Sequence, residues 1–517
     1  MTASASTPGD GVGATTCAPY TMLAGFRRNL AGQMSTRLAY APISETAQAA
    51  RTARPSRAAT VLVLAGADLV GWAVAIAAAA LVASVSGWVV TTEHLLMTTV
   101  ALALAPAAYA FAGLYPAVGV SRVDELRRLT LQTSGVWAMY TAVMTVAYGV
   151  GAVGPALGAW VVALVAVPGA RSLARHLCAG RPWYGVPVVI FGAGNATAAL
   201  LRRLRHHAGD AYRPVAILDD DPARVGQALH GVPVTGPLAD AASYASQGVR
   251  HVLVAMPSLQ SAELTPIVRR SAEPFPHVVV LPDLAGLASV GTTLTDLGGV
   301  VGVHVRQERL RQRSLVAKRA LDLAIVLPGA LVVAPVVLLA ALAIWLVSPG
   351  NPFFVQEREG VAGRSFRMWK LRTMFPDAGA RLERHLATHP GAAAEWASKF
   401  KLTHDPRILP GIGRLLRVTS LDELPQLWNI IRGDMSLVGP RPFPSYHLDA
   451  FDRDFRTLRH SVQPGLTGLW QVTARADADL ALQEELDTMY VTNWSVWLDV
   501  YLLARTPWAV LRGGGAY

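Results

Sequence analysis

The sequence predicts three kinds of structure in one chain: an integral membrane bundle of four α-helices, a cytoplasmic Rossmann-like α/β domain, and a membrane-associated, mainly α C-terminal domain. Three observations predict it. Of 517 residues, 52% are hydrophobic and the mean hydropathy is +0.34, too apolar for an ordinary soluble protein. Four apolar stretches lie between residues 59 and 170, most of them near the ~20 residues a helix needs to cross a bilayer. From Val186 the pattern changes to short β-rich runs alternating with helical ones, which reads as βαβ units and a parallel sheet.

Residues 1–58 are polar, rich in Ala, Thr and Ser, and lack a compact apolar core ending in a cleavage site, so they read as a disordered cytoplasmic tail. Residues 59–180 hold the bundle, with apolar stretches at Ala59–Val85, Leu95–Leu114, Leu131–Val150 and Pro155–Ala170 arranged as two helical hairpins. Arg51, Arg54 and Arg57 precede the first stretch, Arg122, Arg127 and Arg128 fill the second loop, and Arg171, Arg175 and Arg181 follow the fourth. The loops after the first and third stretches carry no Lys or Arg, so the positive-inside rule puts both ends of the bundle in the cytoplasm. Asp68, inside the first stretch, reads as a polar contact within the bundle, because an intramembrane charge is costly. The net charge of +11 suits an anionic partner and, in so apolar a chain, favours membrane lipids and nucleotides over nucleic acid. Cys17 and Cys178 are the only cysteines and are far apart, which supports neither a disulfide framework nor a Cys-based zinc site.

Residues 181–310 carry the α/β pattern, with strand runs at Val186–Phe191, Val215–Leu218, Val249–Met256 and His277–Leu281. The first ends in Gly192-Ala193-Gly194-Asn195-Ala196-Thr197, and Asp219 closes the second at the position of a ribose-binding acid. Two of three fingerprint glycines are present, which makes Gly192, Gly194 and Asp219 candidates for nucleotide binding; a tight strand-to-helix turn in a domain that binds nothing explains them equally well. Residues 311–350 contain a fifth apolar run, Leu321–Val347, led by Lys318 and Arg319. Hydropathy alone favours a plain fifth span. Pro335 in its middle removes a helical hydrogen bond and opens a second reading, in which the run kinks and folds back.

Residues 351–517 contain the most informative stretch, Ser420-Leu-Asp-Glu-Leu-Pro-Gln-Leu-Trp-Asn-Ile-Ile-Arg-Gly-Asp-Met-Ser-Leu-Val-Gly-Pro-Arg-Pro442. Ser420 with Glu423 three residues on matches a capping box, while Pro425 prefers the first helical position and moves the helix start toward Leu424. In either frame Asp422 and Glu423 lie at the positive end of a helix, which keeps them ionised. An ionised carboxylate serves as a nucleophile toward phosphorus or as a ligand for Mg2+. Lys370, Arg372, Arg407, Arg417 and Arg441 are the candidate phosphate-binding cations. Each alone reads as a solvated or headgroup-facing charge; the combination is harder to dismiss. Trp494, Trp497, Tyr501 and Trp508 suit either interfacial helices or a core.

Lys318-Arg319 before the proline-interrupted run, Gln356-Glu357-Arg358, Lys370 to Met374, Asp405-Pro406-Arg407, Ser420 to Pro442, Pro464 to Val472 and the terminal Gly515-Ala516-Tyr517 together resemble the bacterial sugar transferases, monotopic polyprenyl-phosphate hexose-1-phosphate transferases. The resemblance covers residues 318 to 517, and the longer layout is similar to the undecaprenyl-phosphate galactose phosphotransferase subgroup. It implies transfer of hexose-1-phosphate, galactose in this subgroup and glucose as the alternative, from a UDP-sugar to undecaprenyl phosphate, with release of UMP and initiation of a surface polysaccharide. By the same resemblance Asp422 is the nucleophile that forms a covalent phosphosugar, Glu423 the supporting acid, and both are magnesium ligands. Arg417 and Arg441 would hold phosphate oxygens, with Lys370 and Arg372 in support. The run around Pro335 becomes a re-entrant membrane helix, so that a mainly α catalytic domain stays on the cytoplasmic face of the bacterial inner membrane. A homodimer is left open. Ala334 stands where relatives often have Ser before the proline, Leu371 where Phe is usual, and Ala474 where Gly often precedes Arg475. The competing readings are a membrane-bound NAD-dependent nucleotide-sugar dehydratase or epimerase, which lacks support because no tyrosine here has a lysine four residues later, and a non-catalytic scaffold.

Overall fold

The structure, a computed structural model, describes residues 40–42, 55–85, 92–149, 153–206, 212–257, 259, 261–281, 292–296, 301–305, 309, 311–399, 402, 405–448, 451–473 and 480–511. Most of the expected tail, Ala474, Arg475 and the terminal Gly515-Ala516-Tyr517 lie outside the described residues. The chain divides into two compact units, residues 1–66 with 171–283 and residues 67–170 with 284–517.

The four expected apolar stretches are four helices: α1 (Arg57–Val85), α2 (Thr92–Phe111), α3 (Arg122–Tyr148) and α4 (Val153–Cys178). Helix α3 starts nine residues before its apolar stretch because Ser121 caps it, its Oγ accepting from the Asp124 amide at 3.1 Å, with Asp124 and Glu125 in the first turn. The arginines expected in a loop therefore lie on the first turns of a helix. Helix α1 and residues 156–178 of α4 are long and apolar enough to cross a membrane; the described apolar part of α2, Thr98–Phe111, is shorter. Within the second unit these helices share a core in which Trp72 stacks on Trp137 at 5.3 Å and donates to the Tyr109 hydroxyl at 3.0 Å. Gly71 permits the contact between α1 and α4, since a Cβ there would lie 2.6 Å from the Val167 Cα. Asp68 is fully buried and accepts from the Tyr115 hydroxyl, the polar contact within the bundle that its position suggested.

In the first unit, one seven-stranded sheet runs in the order β1-β4-β5-β3-β2-β6-β7. Strands β2 (Val186–Phe191), β3 (Tyr212–Leu218), β5 (Val232–Gly236), β6 (His251–Val254) and β7 (His277–Val280) pair parallel, and β4 (Gln227–Leu229) and β1 (Tyr40–Pro42) add antiparallel at one edge. Tyr40–Pro42 thus form an edge strand inside a segment expected to be a disordered tail, because pairing with β4 satisfies backbone groups that the local sequence leaves open. Helices α5 (Asn195–His206), α6 (Ala241–Ser246) and α7 (Ser261–Arg270) supply the crossovers, and apolar clusters form around the buried runs of β2, β3 and β6.

The second unit continues with the hairpin β8 (Thr292–Asp296) and β9 (Val301–Val305) and then α8, Gln312–Val347, the third helix long and apolar enough for a membrane. Pro328 and Pro335 both lie inside α8, so the run expected to break at Pro335 is one helix of 36 residues. Its two ends pack on the same body. Near the start, Lys318 reaches the Val438 carbonyl at 2.8 Å and the Asp499 carboxylate at 2.6 Å, and Arg319 donates to the Ile430 and Ile431 carbonyls. Near the end, Ala341 and Ile344 join a core with Leu371, Leu409 and Leu416. Leu331 and Val332, between the prolines, are 79% and 73% exposed.

After α8, strands β10 (Phe353–Glu359) and β11 (Ser365–Leu371) form an antiparallel hairpin followed by α9 (Ala378–Thr388), α10 (Pro390–Lys399) and α11 (Ile412–Val418). Helix α12 (Gln426–Arg432) leads to β12 (Ser436–Val438), which pairs parallel with β13 (Gly465–Thr467); α13 (Ser445–Leu448) and α14 (Arg453–Arg459) lie between them in the chain, and α15 (Leu469–Thr473), α16 (Leu480–Thr492) and α17 (Val496–Leu511) complete the unit. Trp494 is core, Trp497 and Tyr501 pack against it, and Trp508 is exposed. Helix α17 packs on α3, and Val123 of α3 belongs to the same core.

Candidate active site

The dyad sits on a turn. Ser420 adopts a left-handed conformation (φ 57°), unusual for a residue with a Cβ, and the chain then makes a 3₁₀ turn over Leu421–Glu423 before α12 begins at Gln426. The expected capping box does not form: the Ser420 side chain makes no cap hydrogen bond, because in this conformation its main chain does the work, the carbonyl accepting from the Glu423 amide at 3.2 Å. Pro425 directly precedes the first helical residue, so both carboxylates lie just ahead of the α12 N-terminus and not within its first turn.

The two carboxylates have opposite surroundings. Glu423 Oε1 accepts from Lys370 Nζ at 2.7 Å and from Arg441 Nη2 at 2.8 Å. Burial works to raise its pKa, but the charges and hydrogen bonds of Arg441 and Lys370 prevail and hold it at about 2. The Asp422 carboxylate makes no hydrogen bond or ion pair among the described residues. Burial pushes its pKa above the ordinary value, opposed by Lys370, Arg417 and Arg441 and reinforced by the Glu423 charge. A partly buried carboxylate with free oxygens, facing three cations, has lone pairs open to a metal ion or to an electrophile such as phosphorus. For magnesium, no group of three or more His, Cys, Asp or Glu side chains gathers among the described residues. Magnesium is commonly held by one or two carboxylates together with substrate phosphates, and the free oxygens of Asp422 and Glu423 Oε2 fit that donor set.

Of the five predicted cations, Lys370, Arg417 and Arg441 act on Asp422. Arg417, in the last turn of α11, is held by its Nε to Thr373 Oγ1 at 3.0 Å; a Cβ at Gly413 would lie 2.6 Å from the Thr373 carbonyl, so only glycine lets α11 come this close. Arg407 is instead tied to Asp405 by bonds of 2.6 to 3.0 Å and lies over the Trp396 ring at 4.8 Å. Arg372, which follows β11, donates to the carbonyl of Ser348, the cap residue after α8, and so ties the end of that helix to the end of β11. Sequence reasoning gave no role to Asn429, which is fully buried: its Oδ1 accepts from Trp369 N at 3.1 Å and its Nδ2 donates to Arg367 O at 2.7 Å, pinning α12 to the strand that carries Lys370. Gln426 and Asn429, polar residues three apart that share the buried face of α12 with Ile430, were the available signal.

In the other unit, Gly192 takes φ 91°, and a Cβ there would lie 2.8 Å from Met256 Cγ, while a Cβ at Gly194 would meet open space. Asp219 closes onto the same turn. Its Oδ2 accepts from Ala193 N at 2.6 Å and Arg224 Nη1 at 3.0 Å, and its Oδ1 from Asp221 N at 2.9 Å.

Residues 313–513 match the model of the bacterial sugar transferase family, and residues 110–282 match that of a CoA-binding domain. The chain is 33% identical over 365 residues to the UDP-galactose-lipid carrier transferase of Erwinia amylovora and 31% identical over 366 residues to the undecaprenyl-phosphate galactose phosphotransferase of Salmonella typhimurium, in each case covering 69% of this chain and 75% of the relative. It is 30% identical over 276 residues, 52% of this chain and 56% of the relative, to the UDP-glucose:undecaprenyl-phosphate glucose-1-phosphate transferase of Escherichia coli. The likeness reaches across both units, and this chain belongs to the bacterial sugar transferase family.

Proposed function

We propose that this phosphotransferase moves hexose-1-phosphate, galactose-1-phosphate in the first instance, from a UDP-sugar to undecaprenyl phosphate, the first membrane step of a surface polysaccharide. The observation that carries this reading is the contrast within the dyad: Glu423 is clamped by Lys370 and Arg441, whereas Asp422 keeps its oxygens free beside the same cations. An Asp422 oxygen attacks the β-phosphorus of the donor, the bond from that phosphorus to the bridging oxygen breaks, and UMP leaves with the oxygen. A phosphate oxygen of the lipid then attacks the aspartyl phosphosugar and releases the carboxylate. Arg417 and Arg441 neutralise phosphate oxygens, Lys370 and Glu423 fix each other's position, and the preorganised charges lower the barrier at the moment negative charge moves to the leaving oxygen. Magnesium, held by Asp422 and Glu423 with the diphosphate, would supply charge neutralisation.

Helix α8 is proposed to enter and leave the membrane on one side. Both its ends pack on one body while the residues between its prolines are exposed and apolar, and each proline removes a helical hydrogen bond and favours a bend. On this reading the catalytic part faces the cytoplasm at the inner membrane. Release of UMP, measured with purified protein, magnesium and undecaprenyl phosphate against a panel of UDP-sugars, tests the reaction and ranks galactose against glucose. Labelled UDP-sugar without lipid should leave label on the wild-type protein and none on Asp422→Asn; release of UMP only when lipid is present would refute the covalent step.

A further inference from the structure

Beside the dyad lies a cavity of about 150 Å3 walled by Arg358, Lys370, Glu423, Gln426 and Arg441, with Met368, Phe443 and Leu466 among its apolar residues. Its cations come from β10, β11 and the segment after β12, so the fold itself converges them. The carboxylate on this wall, Glu423, is already held by two of them, which leaves the cavity suited to an anion. Gln426, on the first turn of α12, is 3% exposed, and its side-chain amide has no hydrogen-bond partner among the described residues. An amide that opens onto a cavity without a protein partner is left to bond a ligand.

We propose that this cavity is a single phosphate-exchange pocket, occupied first by the UMP phosphate as it departs and then by the lipid phosphate as it arrives, with the Gln426 amide as a hydrogen-bond donor to both. The inference rests on the two-step reading above. In-line displacement at phosphorus requires the leaving group to depart opposite the attacking atom. In the first step Asp422 attacks and UMP departs; in the second Asp422 is the leaving group, so the lipid phosphate attacks from the side that UMP vacated. Both anions therefore need the same donors in turn. The lining matches the pair: cations and an amide for a phosphate that either molecule presents, and apolar side chains beside them that tolerate the first carbons of a polyprenyl chain.

The test measures the two half-reactions separately on full-length protein in lipid nanodiscs. Exchange of labelled UMP into UDP-sugar without lipid reports the first, and discharge of the labelled phosphosugar enzyme by undecaprenyl phosphate reports the second. For the wild type, UMP should inhibit discharge competitively against undecaprenyl phosphate. Gln426→Met keeps the size but removes the donor and should slow both half-reactions by about 10-fold, the worth of one hydrogen bond to a charged group. Gln426→Glu, which sets an anion in the pocket, should slow both by more than about 100-fold, while thermal unfolding of the two variants shows that each is folded. Loss in only one half-reaction, or noncompetitive inhibition by UMP, overturns the shared pocket. Absence of any UMP exchange in the wild type overturns instead the covalent reading on which it stands.

Discussion

Asp219 and Asp422 are both aspartates that follow a recognisable motif, and they end in opposite states. Asp219 is buried at the end of β3 with both oxygens engaged by Ala193, Asp221 and Arg224. Asp422 is partly buried, yet its oxygens have no partner among the described residues and its charge is balanced at longer range by Lys370, Arg417 and Arg441. A carboxylate whose lone pairs are consumed by its own turn holds a loop together; one that is partly buried and left open is available to a ligand or an electrophile. The difference lies in what the neighbouring backbone offers, and the residue type alone does not report it.

The largest effect expected is Asp422→Asn. An amide is no nucleophile toward phosphorus, so transfer should fall by about three orders of magnitude or more, with UMP release failing in step. Because the carboxylate has no partner to lose, the melting temperature should stay level or rise. A large fall in stability would place Asp422 with Asp219 as a structural residue and break the comparison.

The dyad also separates by pH, with opposite signs. Asp422 has a raised pKa, so the acid limb of kcat/KM should lie above the ordinary aspartate value of about 3.9, and its ionisation withdraws stability as pH rises through that folded value. Glu423, held at about 2, contributes stability that is complete above its unfolded value of about 4.3 and is lost as pH falls toward 2. In Glu423→Gln the stability lost between those pH values should vanish while the acid limb of activity, set by Asp422, persists at a lower rate. An acid limb that disappears with Glu423 would assign the essential ionisation to the wrong member of the pair.

Next in size is Lys318→Met, which leaves the Asp499 carboxylate buried with only Tyr490 and Trp494 as donors. Removing one partner of a buried pair costs about 3–5 kcal/mol, read as a fall in the denaturant midpoint. Lys318 also holds the Val438 carbonyl, three residues before Arg441, so activity should fall together with stability.

How much of this was legible in the sequence follows from the range of the interactions. The four bundle helices, the parallel strands and the dyad were readable because each is signalled within some twenty residues, by hydropathy, by β-rich runs or by a motif. Arg372 and Arg407 were read as phosphate ligands because an arginine near a motif looks the same whether its partner is a substrate or a carbonyl; only folding shows that Ser348 and Asp405 already claim them. The capping box failed for a local reason, the left-handed Ser420, which no spacing rule detects. Asn429 and Gln426 escaped because their significance depends on β11 and on a cavity assembled from strands and turns roughly 55–70 residues upstream and roughly 15–40 downstream.

The smallest effect on transfer is expected from Asp219→Asn, and it is the sharpest control. The asparagine keeps one acceptor oxygen but turns its NH2 group either toward the Ala193 amide and Arg224 or, flipped, toward the Asp221 amide, all of them donors, so in either orientation a bond within the turn is replaced by a donor facing a donor. The cost should be about 1–3 kcal/mol, confined to the sheet unit, and visible as faster amide exchange at Ala193 and Asp221. Transfer by the dyad, which belongs to the other compact unit, should change by less than about 3-fold, within the ±0.5 kcal/mol or so of a substitution away from the site. If transfer instead falls as far as stability, Asp219 would have to act through a bound ligand of the sheet unit, and the two aspartates would differ in the ligand they serve and not in whether they serve one.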